Sequence, residues 1–310
     1  MTNAGEKENR RPMQEKELEI AGGSLCYVPQ AGKIIVTQLK GLASEVMVPE
    51  KIEGLPVAEI GKKCFMGRRN LRKVTLPDTV ESLGDFCFAG DSALRVVSLP
   101  GKQIALGKTP FLNCSNLKQI VVRPRDGRPE VPGELLALAA VDFGSYYLLD
   151  MMEAGSDEWY RKWDARLFME LHTPDMEGHT NAVLCGEEDY ESTNLEGFMR
   201  AKRILKARHC LCRLLFPKKL EESARKELED YLRAHTKGAE SEEAWQVVLK
   251  EYGSEKAYYS LFAEIGCVTA ENLDGILADI GEDYPEMKAY FLRFKEERFG
   301  GGDFFAELEL

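Results

Sequence analysis

Three glycines at a constant 23-residue spacing, Gly61, Gly84 and Gly107, constrain the fold of this chain more than any other feature. Apolar residues repeat at the same interval; they are Phe65, Phe88 and Phe111, then Leu71, Leu94 and Leu117, then Val74, Val97 and Ile120. A fixed period of roughly 20 to 29 residues is typical of a leucine-rich solenoid, whose stacked coils bury the repeated side chains. We expect the three glycines to adopt backbone angles closed to residues with a side chain.

Each repeat predicts one strand with alternating inward and outward residues, ended by a proline. Pro77 and Pro100 keep the 23-residue spacing, whereas Pro49 precedes Pro77 by 28. The surplus lies in residues 53–57, which we expect to bulge out of the first coil. The period ends after Val122, so the array has about four coils.

Three segments carry a family resemblance: residues 74–88 (VTLPDTVESLGDFCF), residues 111–117 (FLNCSNL) and residues 52–61 (IEGLPVAEIG). With them, residues 25–122 resemble the BspA-like, bacterial surface-antigen class of leucine-rich repeats. Members of that class are commonly secreted or displayed proteins that bind components of host or neighbouring cells. The resemblance therefore implies a solenoid fold and a binding function.

The chain as a whole is predicted to be α+β, a short leucine-rich-repeat β-solenoid followed by an all-α region. We expect a disordered tail over residues 1–20, a repeat domain over 21–128 with an N-terminal hairpin cap, and a helical domain over 129–310. The segment KAY with a following Phe occurs at residues 256–262 and again at 288–294. This offset suggests stacked helix pairs in the manner of ankyrin repeats.

The helical half is also predicted in detail. Residues 193–196 (TNLE) form a capping-box pattern that opens a long helix ending before Pro217. Further helices are expected at 219–235, 241–252, 254–265, 269–280 and 285–298.

Composition indicates a chain that stays in the cytoplasm. The first twenty residues are charged and lack the apolar run of a secretory signal, and no apolar stretch reaches the roughly 20 residues of a membrane helix. The eight cysteines are accordingly interpreted as reduced thiols.

Nothing in the sequence names a reaction, because phosphate-loop, dinucleotide, zinc-protease and nucleophile-elbow motifs are all missing. We expect no catalytic residue, no cofactor and no metal. His172 and His179, in an acidic stretch, are the residues on which a metal-dependent activity of the helical half would depend. Cys210 and Cys212 point about 200° apart on a helix and suit a zinc site poorly.

A basic amphipathic helix over residues 200–213 could in principle lie on a membrane or touch nucleic acid. Its broad apolar side favours a core position, and the acidic surroundings would repel phosphates. We therefore expect neither nucleic acid nor a membrane as partner.

The predicted binding surface is the outward face of the solenoid strands, with a column of basic residues beside it. Between Lys51 and Arg128 there are 14 Lys and Arg against 7 Asp and Glu, although the chain carries a net −11. The predicted contact residues are Arg72, Lys73, Thr75, Arg95, Val96, Ser98, Lys118, Gln119 and Val121.

Size limits what that face can do alone. Four coils at about 4.8 Å spacing give on the order of 150 to 200 Å² of strand face, against about 800 Å² per partner in a standard interface. We therefore predict a non-enzymatic protein-binding module in which the helical half adds contacts. The alternatives are a metal-dependent or other catalytic activity in the helical half, or an exported adhesin. The identity of the protein partner and the oligomeric state stay open.

Overall fold

A computed structural model describes residues 15–124, 130–180 and 194–300. The chain divides into two compact units, residues 1–163 and residues 164–310, and the boundary falls within one helix. In the described residues the strands are β1 (Lys16–Ile20), β2 (Gly23–Gln30), β3 (Lys33–Gly41), β4 (Glu45–Met47), β5 (Lys51–Ile52), β6 (Leu55–Ile60), β7 (Lys73–Thr75), β8 (Ser82–Leu83), β9 (Val96–Leu99), β10 (Ala105–Leu106) and β11 (Gln119–Val122). The helices are α1 (Gly133–Val141), a 3-10 helix (Tyr146–Leu149), α2 (Asp157–His172), α3 (Leu195–Leu215), α4 (Glu222–Ala234), α5 (Glu243–Glu251), α6 (Lys256–Glu264), α7 (Leu273–Ile280) and α8 (Pro285–Phe299).

The first unit is built on a solenoid of about four coils, as the sequence period predicts. One sheet has the order β11-β9-β7-β4, with all pairs parallel. A second sheet runs β1-β2-β3-β6-β8-β10, with β5 paired to β6. Strands that are one period apart in sequence lie directly beside each other, so the period corresponds to the rise from one coil to the next. The α+β class and the solenoid are thus confirmed.

The N-terminal hairpin forms as predicted, and it extends the second sheet. Its strands β2 and β3 turn at Ala31 and Gly32, both in the left-handed region, and β3 pairs in parallel with β6. The prediction of a disordered tail over residues 1–20 is wrong for residues 16–20, which form β1 and pair antiparallel with β2. Residues 1–14 lie outside the described part of the chain.

The surplus residues of the first coil form a second hairpin rather than a bulge. Strand β5 pairs antiparallel with β6, and Glu53 and Gly54 make the turn with φ of 52° and 80°. Positive φ at both turn residues matches the right-handed twist of the strands. The extra length is therefore absorbed at the surface, and the stacking register continues into β7.

The solenoid interior contains a ladder of phenylalanine rings. Phe65, Phe88 and Phe111 are fully buried and stacked, with ring centroids 5.1 Å and 5.4 Å apart and planes within 2°. The coil spacing imposes this geometry, because each ring sits at the same position in its coil. Such stacking adds to the free energy gained by burying the rings.

The repeated glycines serve a different purpose from the one expected. None of the three has a positive φ. A Cβ on Gly84 would lie 2.4 Å from the Lys62 nitrogen, and one on Gly107 would lie 2.5 Å from the Asp85 nitrogen. Glycine is therefore required because adjacent coils approach each other here, and the expectation about backbone angles is wrong.

One carboxyl group lies inside the solenoid. Asp91 is fully buried, and its Oδ1 accepts a hydrogen bond from the Arg68 backbone nitrogen at 2.6 Å. Burial raises the pKa of Asp91 to about 8, despite the opposing effect of that hydrogen bond. At the same 23-residue spacing, the preceding coil has Arg68 and the next coil has Cys114.

Helix α1 closes the C-terminal end of the solenoid. Residues 135–140 of this helix are all buried, and a Cβ on Gly133 would lie 3.0 Å from the Ile120 oxygen of β11. The indole nitrogen of Trp163 donates to the Leu135 oxygen at 3.0 Å. The unit therefore extends to residue 163, whereas the sequence-based division at residue 128 stays a prediction.

The second unit consists of helices packed around α3. Residues 206–207 and 209–214 of α3 are buried. Asn194 is the N-cap of the helix, and its side-chain oxygen accepts a hydrogen bond from the Gly197 nitrogen at 2.6 Å. The predicted cap, Thr193, lies outside the described residues. The helices predicted from residue 193 onwards all form, with ends displaced by at most a few residues.

An aromatic cluster joins α5, α6 and α8. The ring of Trp245 lies within 6.5 Å of the rings of Tyr259, Phe262 and Phe291. Tyr259 and Phe291 are separated in sequence by the same offset as the two copies of the KAY segment, and both are fully buried. The two copies thus share a core position, while the comparison with ankyrin repeats stays a prediction.

Candidate functional site

The outward face of β4, β7, β9 and β11 is a flat surface of two side-chain columns. The strand register places Lys73, Val96 and Gln119 in one column and Thr75, Ser98 and Val121 in the other. Between them, the inward residues of β7 and β9 are fully buried. The structure therefore brings together all six strand residues that were predicted from the sequence.

A basic column borders this strand face. The Arg95 nitrogen donates to the Arg72 oxygen at 2.8 Å, and the Lys118 nitrogen donates to the Arg95 oxygen at 2.9 Å. These bonds hold the three residues on consecutive coils. Arg72 and Arg95 are exposed, and no carboxylate in the described part of the chain pairs with either guanidinium.

Gln119 differs from the other predicted residues because a neighbouring element occupies its side chain. Its Nε2 donates to the Glu134 Oε1 of α1 at 2.8 Å, and the residue is half-buried. Gln119 thus marks the edge of the face, where α1 begins to cover the last coil. Val121 is exposed and Val96 is half-buried.

Two residues of this face were missed by the sequence analysis, namely Glu45 and Met47 of β4. They pair with Lys73 and Thr75 and extend both columns by one coil. Met47 is 76% exposed, more than any other large apolar residue of the face. The sequence could have indicated both residues, because they precede Lys73 and Thr75 by 28 positions, which is the spacing of the first coil.

In the helical unit, the structure does not assemble His172 and His179 into a ligand set. His172 Nε2 is hydrogen-bonded to the Glu227 carboxylate, whereas the ring of His179 packs against Phe198 with centroids 5.3 Å apart. Among the described residues, no group of three or more His, Cys, Asp or Glu could hold a metal ion. The acidic residues 187–189 lie outside the described part of the chain.

The basic helix is α3, and its cations form ion pairs within the unit. Lys206 Nζ lies 2.7 Å from Asp175 Oδ1, and Arg208 Nε lies 2.7 Å from Glu251 Oε2. Arg213 is fully buried and donates to Asp164 through both Nε and Nη2. These cations stabilise the helix packing. No helix in the described ranges has both the length and the apolar character needed to cross a bilayer.

The sequence of the coils matches a known family of repeats. A family model described as BspA type leucine rich repeat region, six copies, matches residues 50–125. Residues 50–125 are a BspA-type leucine-rich repeat region. The matched segment covers β5 to β11, and a search of curated proteins finds no match to the chain.

Three solved structures are similar to part of the chain. A Treponema pallidum leucine-rich repeat protein is 32% identical over 36% of this chain and 51% of its own, with a TM-score of 0.31. A leucine-rich cell surface protein of Faecalibacterium prausnitzii is 21% identical over 34% and 31% of the two chains, with a TM-score of 0.29. A leucine-rich repeat protein of Bacteroides capillosus is 24% identical over 33% and 78%, also at 0.29. The chain thus spans about half the length of the Treponema protein.

The strand face of the BspA-type region is held by backbone hydrogen bonds between coils and is bordered by guanidinium groups. Guanidinium groups can form bidentate hydrogen bonds to carboxylates. Parallel strands held by inter-coil hydrogen bonds change little on binding, so their ordering costs little entropy. The face therefore suits a partner that carries exposed carboxylates.

Proposed function

We propose that this chain is a non-enzymatic protein-binding module that uses the strand face of its BspA-type repeats. The observation that carries this proposal is the basic column, in which Arg72 and Arg95 are exposed and lack carboxylate partners among the described residues. Cations that serve only stability are expected to pair internally, as Arg213 does in the helical unit.

The strand face is too small to hold a stable partner alone, so the proposal includes a second contact. A face of on the order of 200 Å² supports a weak, transient contact at most. We therefore expect the helical unit, residues 164–310, to contribute further contacts to the same partner. Two linked contacts bind more tightly than either alone, because the second becomes intramolecular.

The test is a charge reversal in the full chain. The variant Arg72→Glu, Arg95→Glu should lose the partner that the wild-type chain recovers from extracts of its source cells. A matched double reversal at two exposed lysines of the first unit that lie outside the strand face, Lys33→Glu with Lys51→Glu, should recover it as wild type does. Equal recovery by both variants would remove the basic column from the binding surface.

A reducing compartment, and hence the cytoplasm, is the localisation that we propose. The cysteines of the described residues are all unbridged and buried. Burial raises the pKa of the Cys64 and Cys87 thiols, which keeps them protonated and unreactive. Fractionation of source cells, followed by detection of the intact chain, tests this assignment.

A further inference from the structure

A shallow apolar groove runs along the side of the solenoid that carries no strands. It has a volume of about 420 Å³ and is open to solvent. Its lining residues come from three consecutive coils: Lys63, Met66, Gly67, Phe86, Ala89, Gly90, Leu112 and Asn113. None of these belongs to the strand face described above.

Two columns of left-handed residues shape the groove. One contains Lys63, Phe86 and Thr109 with φ of 58°, 56° and 37°, and the other contains Gly67 and Gly90, followed by Asn113, with φ of 74°, 75° and 58°. The missing side chains of the two glycines open the trench. No atom beyond the glycine's neighbours lies within 4 Å of a Cβ built on Gly67.

The floor of the groove is rigid. The Gly67 nitrogen donates to the Ala89 oxygen at 2.9 Å, and the Gly90 nitrogen donates to the Leu112 oxygen at 2.8 Å. These bonds connect three coils across the trench. Because the groove is already formed, binding of a segment would cost little conformational entropy of the solenoid.

Met66, Ala89 and Leu112 occupy the same position in three consecutive coils, and the two outer residues are large and apolar. Met66 is 43% exposed and Leu112 is 45% exposed, while Ala89 between them is buried. Two coil spacings of about 4.8 Å separate them, so the gap is about 10 Å. An extended peptide rises about 3.3 Å per residue, so roughly three residues fit between the two ends.

The rim of the groove is basic. Lys63 lines the groove, and Lys62 and Arg69 lie within two residues of lining residues in the sequence. Lys108 is next to the groove because its backbone oxygen accepts a hydrogen bond from the Phe86 nitrogen at 2.9 Å. All four cations are exposed, and none of them pairs with a carboxylate among the described residues. Asp85, which precedes Phe86 in the same coil, accepts a hydrogen bond from the Lys108 backbone nitrogen at 2.7 Å. The field at the groove therefore favours negative charge.

We propose that this groove binds an acidic, extended peptide segment of a partner protein. One apolar side chain of the peptide lies over Ala89 between Met66 and Leu112, and neighbouring Asp or Glu residues face the lysine rim. The inference rests on the proposed protein-binding function but places a second contact on a different side of the solenoid. The small area makes this contact weak, with a Kd on the order of 10 to 100 µM.

The probe is a fluorescein-labelled twelve-residue peptide in which glutamate alternates with leucine and phenylalanine. Its anisotropy is measured against the full chain. Two control peptides replace glutamate by lysine, or leucine and phenylalanine by alanine. We expect saturable binding of the first peptide and at least tenfold weaker binding of both controls.

Three variants locate the contact. Met66→Gln with Leu112→Gln removes exposed apolar atoms, and Gly90→Asn fills the trench with the residue that the next coil has at position 113. Each should weaken binding at least fivefold, and circular dichroism should confirm that the fold is retained. Lys62→Glu should also weaken binding, whereas Lys51→Glu, an exposed lysine elsewhere, should leave it unchanged.

The outcomes separate this proposal from the proposed function. If Arg72→Glu with Arg95→Glu weakens peptide binding and the groove variants do not, the peptide contacts the strand face and the groove proposal fails. If those arginine variants lose the cellular partner while the peptide still binds in the groove, both proposals stand as separate contacts.

Two other occupants would overturn the assignment. If sedimentation velocity shows a dimer that the groove variants abolish, a second copy of the chain fills the groove. Cosedimentation with phosphatidylserine vesicles, lost in Lys62→Glu, would assign the rim to a membrane surface. No saturable binding of the peptide at millimolar concentration would also refute the proposal.

Discussion

Replacing Gly84 by alanine tests whether the regular glycine spacing reflects close approach of the coils. In the structure an added Cβ would lie 2.4 Å from the Lys62 nitrogen and 2.7 Å from the Gly61 carbonyl carbon. Ordinary contacts between non-bonded heavy atoms are about 3.5 Å, so the coils would have to separate locally by roughly 1 Å. Because the obstructing atoms are backbone, no side chain can move to relieve the overlap.

Overpacking of this kind costs about 1 to 3 kcal/mol, occasionally more, and we expect Gly84→Ala to lie at or above about 3 kcal/mol. Gly54→Ala is the matched control. Gly54 has a φ of +80° and no neighbouring atom within 4 Å of an added Cβ. Its substitution should cost about 1 to 2 kcal/mol, the penalty for an alanine in the left-handed region.

Hydrogen exchange with mass spectrometry measures the local free energy of opening in the full chain. The relevant amides are those of Gly84, bonded to the Ile60 oxygen, and of Lys63, bonded to the Asp85 oxygen. For Gly84→Ala we expect a loss of protection of about 100-fold or more in these coils and little change in α3 to α8. A larger loss for Gly54→Ala than for Gly84→Ala would refute the close-approach explanation.

Three further substitutions test the interior of each unit. Phe88→Ala removes the middle ring of the stacked ladder and should cost about 3 to 5 kcal/mol in thermal unfolding. The stability of the wild-type solenoid should fall as the pH rises from about 4 to about 8. Folded Asp91, with a pKa of about 8, keeps a proton that the unfolded carboxyl loses near its ordinary pKa of 3.8. Asp91→Asn should therefore reduce the pH dependence of the unfolding midpoint. Arg213→Met should cost about 3 to 5 kcal/mol by leaving Asp164 without its cation, whereas Arg161→Met at an exposed ion pair should change stability by about 0.5 kcal/mol or less, measured by urea unfolding.

Periodicity predicted the solenoid well because each coil repeats the same physical problem. The positions of Leu71, Val74 and Leu76 alternate with outward residues, and the structure buries all three. Chain spacing alone could not reveal how close two backbones come, so the role of Gly84 was predicted incorrectly. Residues 16–20 were assigned to the tail because their charge masked a strand that pairs with only one neighbour.

The strand face was largely predictable, and the groove was not. Outward positions follow from alternation, so Lys73 and Ser98 could be placed on the face from the sequence alone. The hydrogen bond from Gln119 to Glu134 depends on a helix residue 15 positions further along the chain, and a strand pattern cannot indicate such a contact. The groove depends on left-handed backbone at Lys63 and Phe86, and neither residue type signals that conformation.

Site-specific photo-crosslinking tests the central claim, that the strand face of the repeats contacts a protein partner. A benzophenone amino acid is placed at Ser98, in the middle of the face, and in a second chain at Lys51, which is exposed in the β5–β6 hairpin. We predict that the probe at Ser98 captures a defined protein from extracts of the source cells and that Arg72→Glu with Arg95→Glu abolishes the capture. A probe at Ser98 that captures nothing more than the probe at Lys51 would contradict the account.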